Sequence, residues 1–301
     1  MGIFSFQSWQ QVDDLYGYGL PFSDLSDHPH FFRFLVAFPG LYLSDVYGEE
    51  WFSVYIVSFM ILSIYLMYFL LRDTNSFLIF TSCAAVFLLH MFMNGRGAIS
   101  WLGWMMVIYT ICENFDKDEK LLNVMFLALA LLLCSVSSGT FSVAYVAVIL
   151  LYIYKFYINF KFFNFNLLLI LASLIIISYL FYDLFLSGIE RNINYYTIGS
   201  KDSFYNMMHH GFGSVIIENL IYTIISLILI FVIFSYIYYA MEKKPNVIEF
   251  IMILVPFAGG VFGYTTMTLT VPSVILVVSA RAGGTDLLSR GSLNSGKRVR
   301  N

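Results

Sequence analysis

Arg96 stands in the run Asn94-Gly95-Arg96-Gly97, between two long apolar stretches and far along the chain from any acid. A guanidinium is a planar fork of donors that matches phosphate or carboxylate oxygens. The flanking glycines let such a ligand come close to the backbone. The plainer alternative is an arginine that reaches out to lipid phosphate. A second polar interruption, Ser135-Val136-Ser137-Ser138-Gly139-Thr140, also separates two apolar runs. The hydroxyls of Ser137, Ser138 and Thr140 are of a kind that binds sugar hydroxyls or phosphate, although the same letters make an ordinary turn in a helical hairpin.

Three further groups carry chemistry. His209 and His210, with Arg191 in the same polar stretch, offer a general base and an anion clamp; a histidine pair in a loop is as readily a surface feature. Asp24 and Asp27, beside His28 and His30, could form an acidic site, or Asp24 could cap a helix and both could simply be solvated. His90 lies inside an apolar run, where it either bonds a neighbouring backbone or lines a path. Asp183 and Glu218 are candidate partners for Arg191 or Lys201. Gly259-Gly260-x-x-Gly263 lacks the strand–turn–helix setting of a nucleotide fingerprint and reads as close helix packing. Cys83, Cys112 and Cys134 each sit in apolar runs with no CxxC or Cys/His spacing, so no metal site or disulfide framework is expected.

The elements that must position these residues follow from composition. Of 301 residues 59% are hydrophobic and only 12% charged. Average globular chains carry about 25% charge, so this one lacks the polar side chains to cover a water-exposed surface. A soluble enzyme, a disulfide scaffold, a nucleic-acid binder and a disordered hub are excluded, and an all-α polytopic membrane bundle is expected. Apolar runs read as transmembrane helices are Trp51–Leu71, Ser76–Met93, Gly97–Cys112, Leu121–Val136, Phe141–Tyr154, Leu167–Leu186 and Val215–Ala240. Val247–Ala280 is too long for one span and is split into two helices around Gly263–Met267, for nine in total. Phe31–Leu43, interrupted by Pro39 and Gly40, reads as an interfacial or re-entrant piece. The first residues lack the basic start and apolar stretch of a signal peptide.

Placing Lys and Arg on the cytoplasmic side orients the spans. Arg72, Lys117, Lys120, Lys155, Lys161, Lys243, Lys244, Arg281, Arg290, Lys297, Arg298 and Arg300 then fall inside. Only Arg33, Arg96, Arg191 and Lys201 of the 16 basic residues fall outside. The chain thus divides into an external segment 1–50, a helical domain 51–280 with an external loop 187–213, and a basic cytoplasmic tail 281–301. The long and chemically mixed surface faces outward, and function is expected there.

The block Met93-Asn94-Gly95-Arg96-Gly97-Ala98-Ile99-Ser100, followed by a short charged loop and then Ser137–Thr140, resembles the Wzy-type O-antigen and EpsG-type exopolysaccharide polymerases of bacterial inner membranes. The acidic and aromatic segment Tyr16–Tyr47 and the later outer loop with Arg and Tyr are similar too. The resemblance spans roughly residues 10–155 in pattern rather than in letters, with Gly97 where a Gln is common and Ser137 or Ser138 where a His is common. It implies membrane lipid and undecaprenyl-diphosphate-linked oligosaccharide as partners, with chain-length-regulator and flippase proteins alongside. It implies transfer of a growing glycan onto the next lipid-linked unit, with no cofactor or metal. Arg96, then Arg191, would stabilise the departing diphosphate, and His209 or His210 would take the acceptor proton. Asn94, Ser137, Ser138, Thr140, Lys201, Arg33, Asp24 and Asp27 would contact substrate, and Tyr195 and Tyr196 would stack on sugar faces.

Three rivals remain at the level of sequence, one of them a non-catalytic membrane subunit in which Arg96 would be dispensable. A lipid-phosphate-sugar glycosyltransferase would use Asp24 or Asp27 as base. A transporter or flippase for lipid-linked oligosaccharide would show paired intramembrane charges and repeated broken helices, and neither pattern is visible in the letters alone.

Overall fold

A computed structural model of the chain describes residues 13, 16–17, 19, 31–90, 95–114, 120–158, 179, 247–259 and 268–283. Among these the protein is all-α, with eight helices and no strand. They are α1 (Phe31–Tyr47), α2 (Glu50–Leu71), α3 (Ser76–His90), α4 (Gly95–Tyr109), α5 (Lys120–Cys134), α6 (Ser138–Ile158), α7 (Val247–Gly259) and α8 (Thr270–Ala282). A π-helical turn, Thr110–Asn114, extends α4.

The corners are cut by residues suited to them. Gly48 sits at φ +112°, a conformation closed to other residues, and returns its N–H to the Ser44 carbonyl at 2.9 Å, ending α1. Glu50 then opens α2, where an acid suits the positive end of the helix. Asn75 caps α3 by accepting the Phe77 N–H at 2.9 Å.

Phe31–Leu43 is not an interrupted piece. It is the body of a continuous 17-residue helix that holds Pro39 inside it. The absent proline N–H removes the helical bond to the Leu35 carbonyl, and α2 packs against the adjoining residues. The Tyr55 ring packs against Gly40, where a Cβ would lie within 3.0 Å of its Cε1, and the Tyr55 hydroxyl donates to the Val36 carbonyl at 2.5 Å.

The α4 helix is the axis of the described bundle. All its residues from Gly95 to Ile108 are buried except Arg96, which is half-buried. Gly103 allows α5 to come unusually close: a Cβ there would lie 2.6 Å from the Ala130 carbonyl oxygen and 2.8 Å from Cys134 Sγ. A backbone oxygen cannot step aside as a flexible side chain can. Gly103→Ala is therefore expected to destabilise the protein by about 1–3 kcal/mol through overpacking, seen as a lower melting temperature of the purified protein.

Five of the expected spans coincide with α2 to α6, and Val247–Ala280 is two helices, α7 and α8, as its length requires. The turn expected at Gly263–Met267 and the spans Leu167–Leu186 and Val215–Ala240 lie outside the described residues. Among the described residues one helix, Glu50–Leu71, is long and apolar enough to cross a membrane, with mean hydropathy 2.3. Ser76–Leu88, Leu122–Cys134, Gly139–Leu151, Val247–Gly259 and Thr270–Ala282 are apolar but shorter.

Large apolar side chains are turned outward. Phe77 is 70% exposed and Phe80 71%, with Ile61, Tyr65 and Tyr68 similarly placed on α2. Two charged residues, Glu249 and Arg281, are by contrast buried.

Candidate functional site

Three stretches that are remote in sequence meet at one end of the bundle. Arg33, in the first turn of α1, donates from Nε to the Val136 carbonyl at 2.8 Å, across 103 residues of chain. Val136 belongs to the turn between α5 and α6. In that turn the Ser135 N–H closes onto Leu131 and Leu132, and the Ser137 carbonyl accepts the Phe141 N–H at 3.0 Å. Thr140, in the first turn of α6, reaches α4: its Oγ1 lies 3.3 Å from Ser100 Oγ. Ser100 is four residues beyond Arg96, one helical turn or about 6 Å of rise. Arg96 therefore stands at the beginning of α4, on the same side of that helix as the contact with α6.

The N-termini of α1, α4 and α6 all gather at this end. Each is a positive dipole end, and each leaves backbone N–H groups that helical bonding does not use. None of the three has an acid in its first turn. Two instead have an arginine, Arg33 and Arg96, where helix stability alone favours aspartate or glutamate. Such an arrangement suits an anion. Arg96 is half-buried between Gly95 and Gly97, both buried, so its charge is held in a poorly hydrated setting.

The remaining candidates divide cleanly. Ser137 is half-buried in the turn, and Ser138 opens α6. Thr140 is fully buried, with its hydroxyl bonded to the Cys134 carbonyl at 2.5 Å and the Ser137 carbonyl at 2.9 Å. Expected to touch substrate, it is instead sealed inside the turn. Asn94, Asp24, Asp27, Arg191, Tyr195, Tyr196, Lys201, His209 and His210 lie outside the described residues. Among the described residues no three His, Cys, Asp or Glu side chains gather into a metal-holding group.

The far end of the bundle holds a feature that the pattern of letters did not reveal. Arg281 donates from Nε to Glu249 Oε2 at 2.7 Å and from Nη2 to the same oxygen, with side-chain exposures of 5% and 3%. Arg281, assigned from the sequence to the basic tail, is thus in the last turn of α8 and paired inside the fold with the first turn of α7. A charge at the edge of an apolar run was the available signal. Above this pair, Ser82 and Ser279 meet at 2.6 Å, and Trp104 Nε1 donates to Ser273 Oγ at 2.7 Å, tying α8 to α3 and α4.

No protein-family model, curated protein or solved structure matches the chain.

Proposed function

We propose that this chain is a membrane polysaccharide polymerase. In this reading it has about nine transmembrane helices, an external N-terminus and a cytoplasmic C-terminus in the bacterial inner membrane. It transfers a growing glycan from undecaprenyl diphosphate onto the next lipid-linked repeat unit at the outer face. The outward Phe77 and Phe80 support a lipid surround, since apolar patches of that kind are unfavourable in water.

The observation that carries the reading is the meeting of Arg33, Arg96 and the 135–140 turn at an end formed by three helix N-termini. That end favours an anion on a hydroxyl-bearing ligand, and the resemblance to O-antigen and exopolysaccharide polymerases supplies its class. In the reaction the acceptor hydroxyl oxygen attacks the donor's anomeric carbon as the bond from that carbon to the diphosphate oxygen breaks. The electron pair leaves with the diphosphate, and the acceptor proton passes to a base, for which His209 and His210 are the candidates. Arg96 is assigned to the developing charge on the diphosphate, with Arg33 at the same end of the bundle and Arg191 as a further cation.

One observation favours a second reading, transport of the same lipid-linked oligosaccharide. Buried charges in membrane segments often mark a pathway, and Glu249 and Arg281 are such a pair. Removing the chain from its host and resolving the surface glycan by gel separates the two. A polymerase predicts loss of the long-chain ladder with single repeats still on the surface. Precursor held on the cytoplasmic face identifies transport, and an unchanged ladder refutes both.

A further inference from the structure

Thr140 makes more connections than a helix cap requires. A hydroxyl has one proton and two lone pairs. Here the proton is shared between the carbonyls of Cys134 and Ser137, at 2.5 and 2.9 Å, which leaves the oxygen to accept from Ser100 Oγ at 3.3 Å. The first two contacts fold the turn back on the start of α6, and the third leaves that unit and ties it to α4. Cys134 adds a parallel tie, its thiol donating to the Ser100 carbonyl at 3.8 Å. Arg33 is docked on the same turn through Val136. Both arginines are thus referred to one short piece of chain, Arg33 directly and Arg96 through Ser100, one helical turn away.

We propose that Thr140 is a positioning residue that sets the spacing between the turn on which Arg33 docks and Arg96. This rests on the reading that Arg96 acts on the anionic part of the substrate, and it deepens that reading. Thr140 has no exposed surface, so it works through α4 and the turn and not by touching the ligand. The pair Ser100–Thr140 is the link that matters, because it joins the Thr140 hydroxyl of α6 to the helix that carries Arg96. Both residues are fully buried, so the contact is shielded from competing water.

The test uses the purified full chain in liposomes, with lipid-linked repeat units extracted from a host lacking the chain as the probe. Thr140→Val keeps the shape and removes the hydroxyl; Thr140→Ser keeps the hydroxyl. Ser100→Ala removes the tie from the other side and leaves the contacts of Thr140 with Cys134 and Ser137 intact, which guards against a valine variant that fails to fold. Thr140→Val and Ser100→Ala are each expected to lower kcat about tenfold to a hundredfold, the scale of a small misplacement of a catalytic group, with KM little changed. Thr140→Ser is expected to stay within about twofold of the parent. Parent-like kcat in Ser100→Ala, or equal loss in Thr140→Ser and Thr140→Val, overturns the proposal. Arg96→Ala, run in parallel, reports on the underlying reading by itself: an active Arg96→Ala variant removes that reading, whereas an inactive one with an unaffected Ser100→Ala removes only the positioning role.

Discussion

Arg96→Ala is expected to lower polymer formation by about 10²–10³-fold, the usual effect of deleting one fixed group that stabilises charge developing in a transition state. Protein level and melting temperature are expected to stay at parental values, and the reason lies in the helix dipole. Arg96 is the second residue of α4, where a cation opposes the positive end of the helix. Alanine there relieves about 0.3–1 kcal/mol of unfavourable interaction, offsetting the packing lost with the half-buried stem. A loss of function without a loss of stability therefore assigns the residue to the ligand. Arg96→Lys is expected to recover part of the activity, because an ammonium keeps the charge but not the two-pronged donor geometry that fits a diphosphate. The length distribution of surface glycan in hosts carrying each variant reads out both results.

Breaking the Glu249–Arg281 pair is expected to destabilise the protein by about 3–5 kcal/mol, whichever partner is removed. Almost the whole effect comes from the group left behind. With side-chain exposures of 5% and 3%, neither ion can turn to water when its partner is replaced. Glu249→Ala and Arg281→Ala should consequently fall together in melting temperature. Replacing both residues at once by methionine should restore much of the lost stability, since well-packed apolar substitutes for a buried ion pair are often neutral or better. If the double variant is as unstable as the singles, the pair does not act as a unit. If the double variant is stable yet fails to support glycan export, the transport reading gains over polymerisation.

The chain's architecture was legible largely because helix boundaries here follow apolar length. Trp51–Leu71 differs from α2 by one residue, and the unusually long run Val247–Ala280 could only be two helices. The exception is instructive. Pro39 and Gly40 look like a break, but the helix runs through them, and Tyr55, which packs on Gly40 and bonds Val36, lies in a different helix. The site was legible as pieces and not as an assembly. Arg33, Arg96 and Thr140 each stand out as scarce polar residues at the margins of apolar runs, but only the fold brings Arg33 to Val136 and Thr140 to Ser100. Ser100 closes the block around Asn94 and Arg96, but one serine in an apolar helix carries no role of its own until its partner across the interface is known. Arg281 was misplaced for the same reason, since sequence shows that a basic residue ends a span and not that Glu249 waits beside it.

The central claim, that the arginine end of the bundle joins lipid-linked glycans, is tested most directly by reconstitution. Purified protein in liposomes, supplied only with undecaprenyl-diphosphate-linked repeat units, should build a ladder of products that lengthens with time and releases one undecaprenyl diphosphate per unit added. The Arg96→Ala protein should leave the units single. A correctly folded parent protein that leaves the units unjoined, or an Arg96→Ala protein that joins them at the parental rate, would contradict the account.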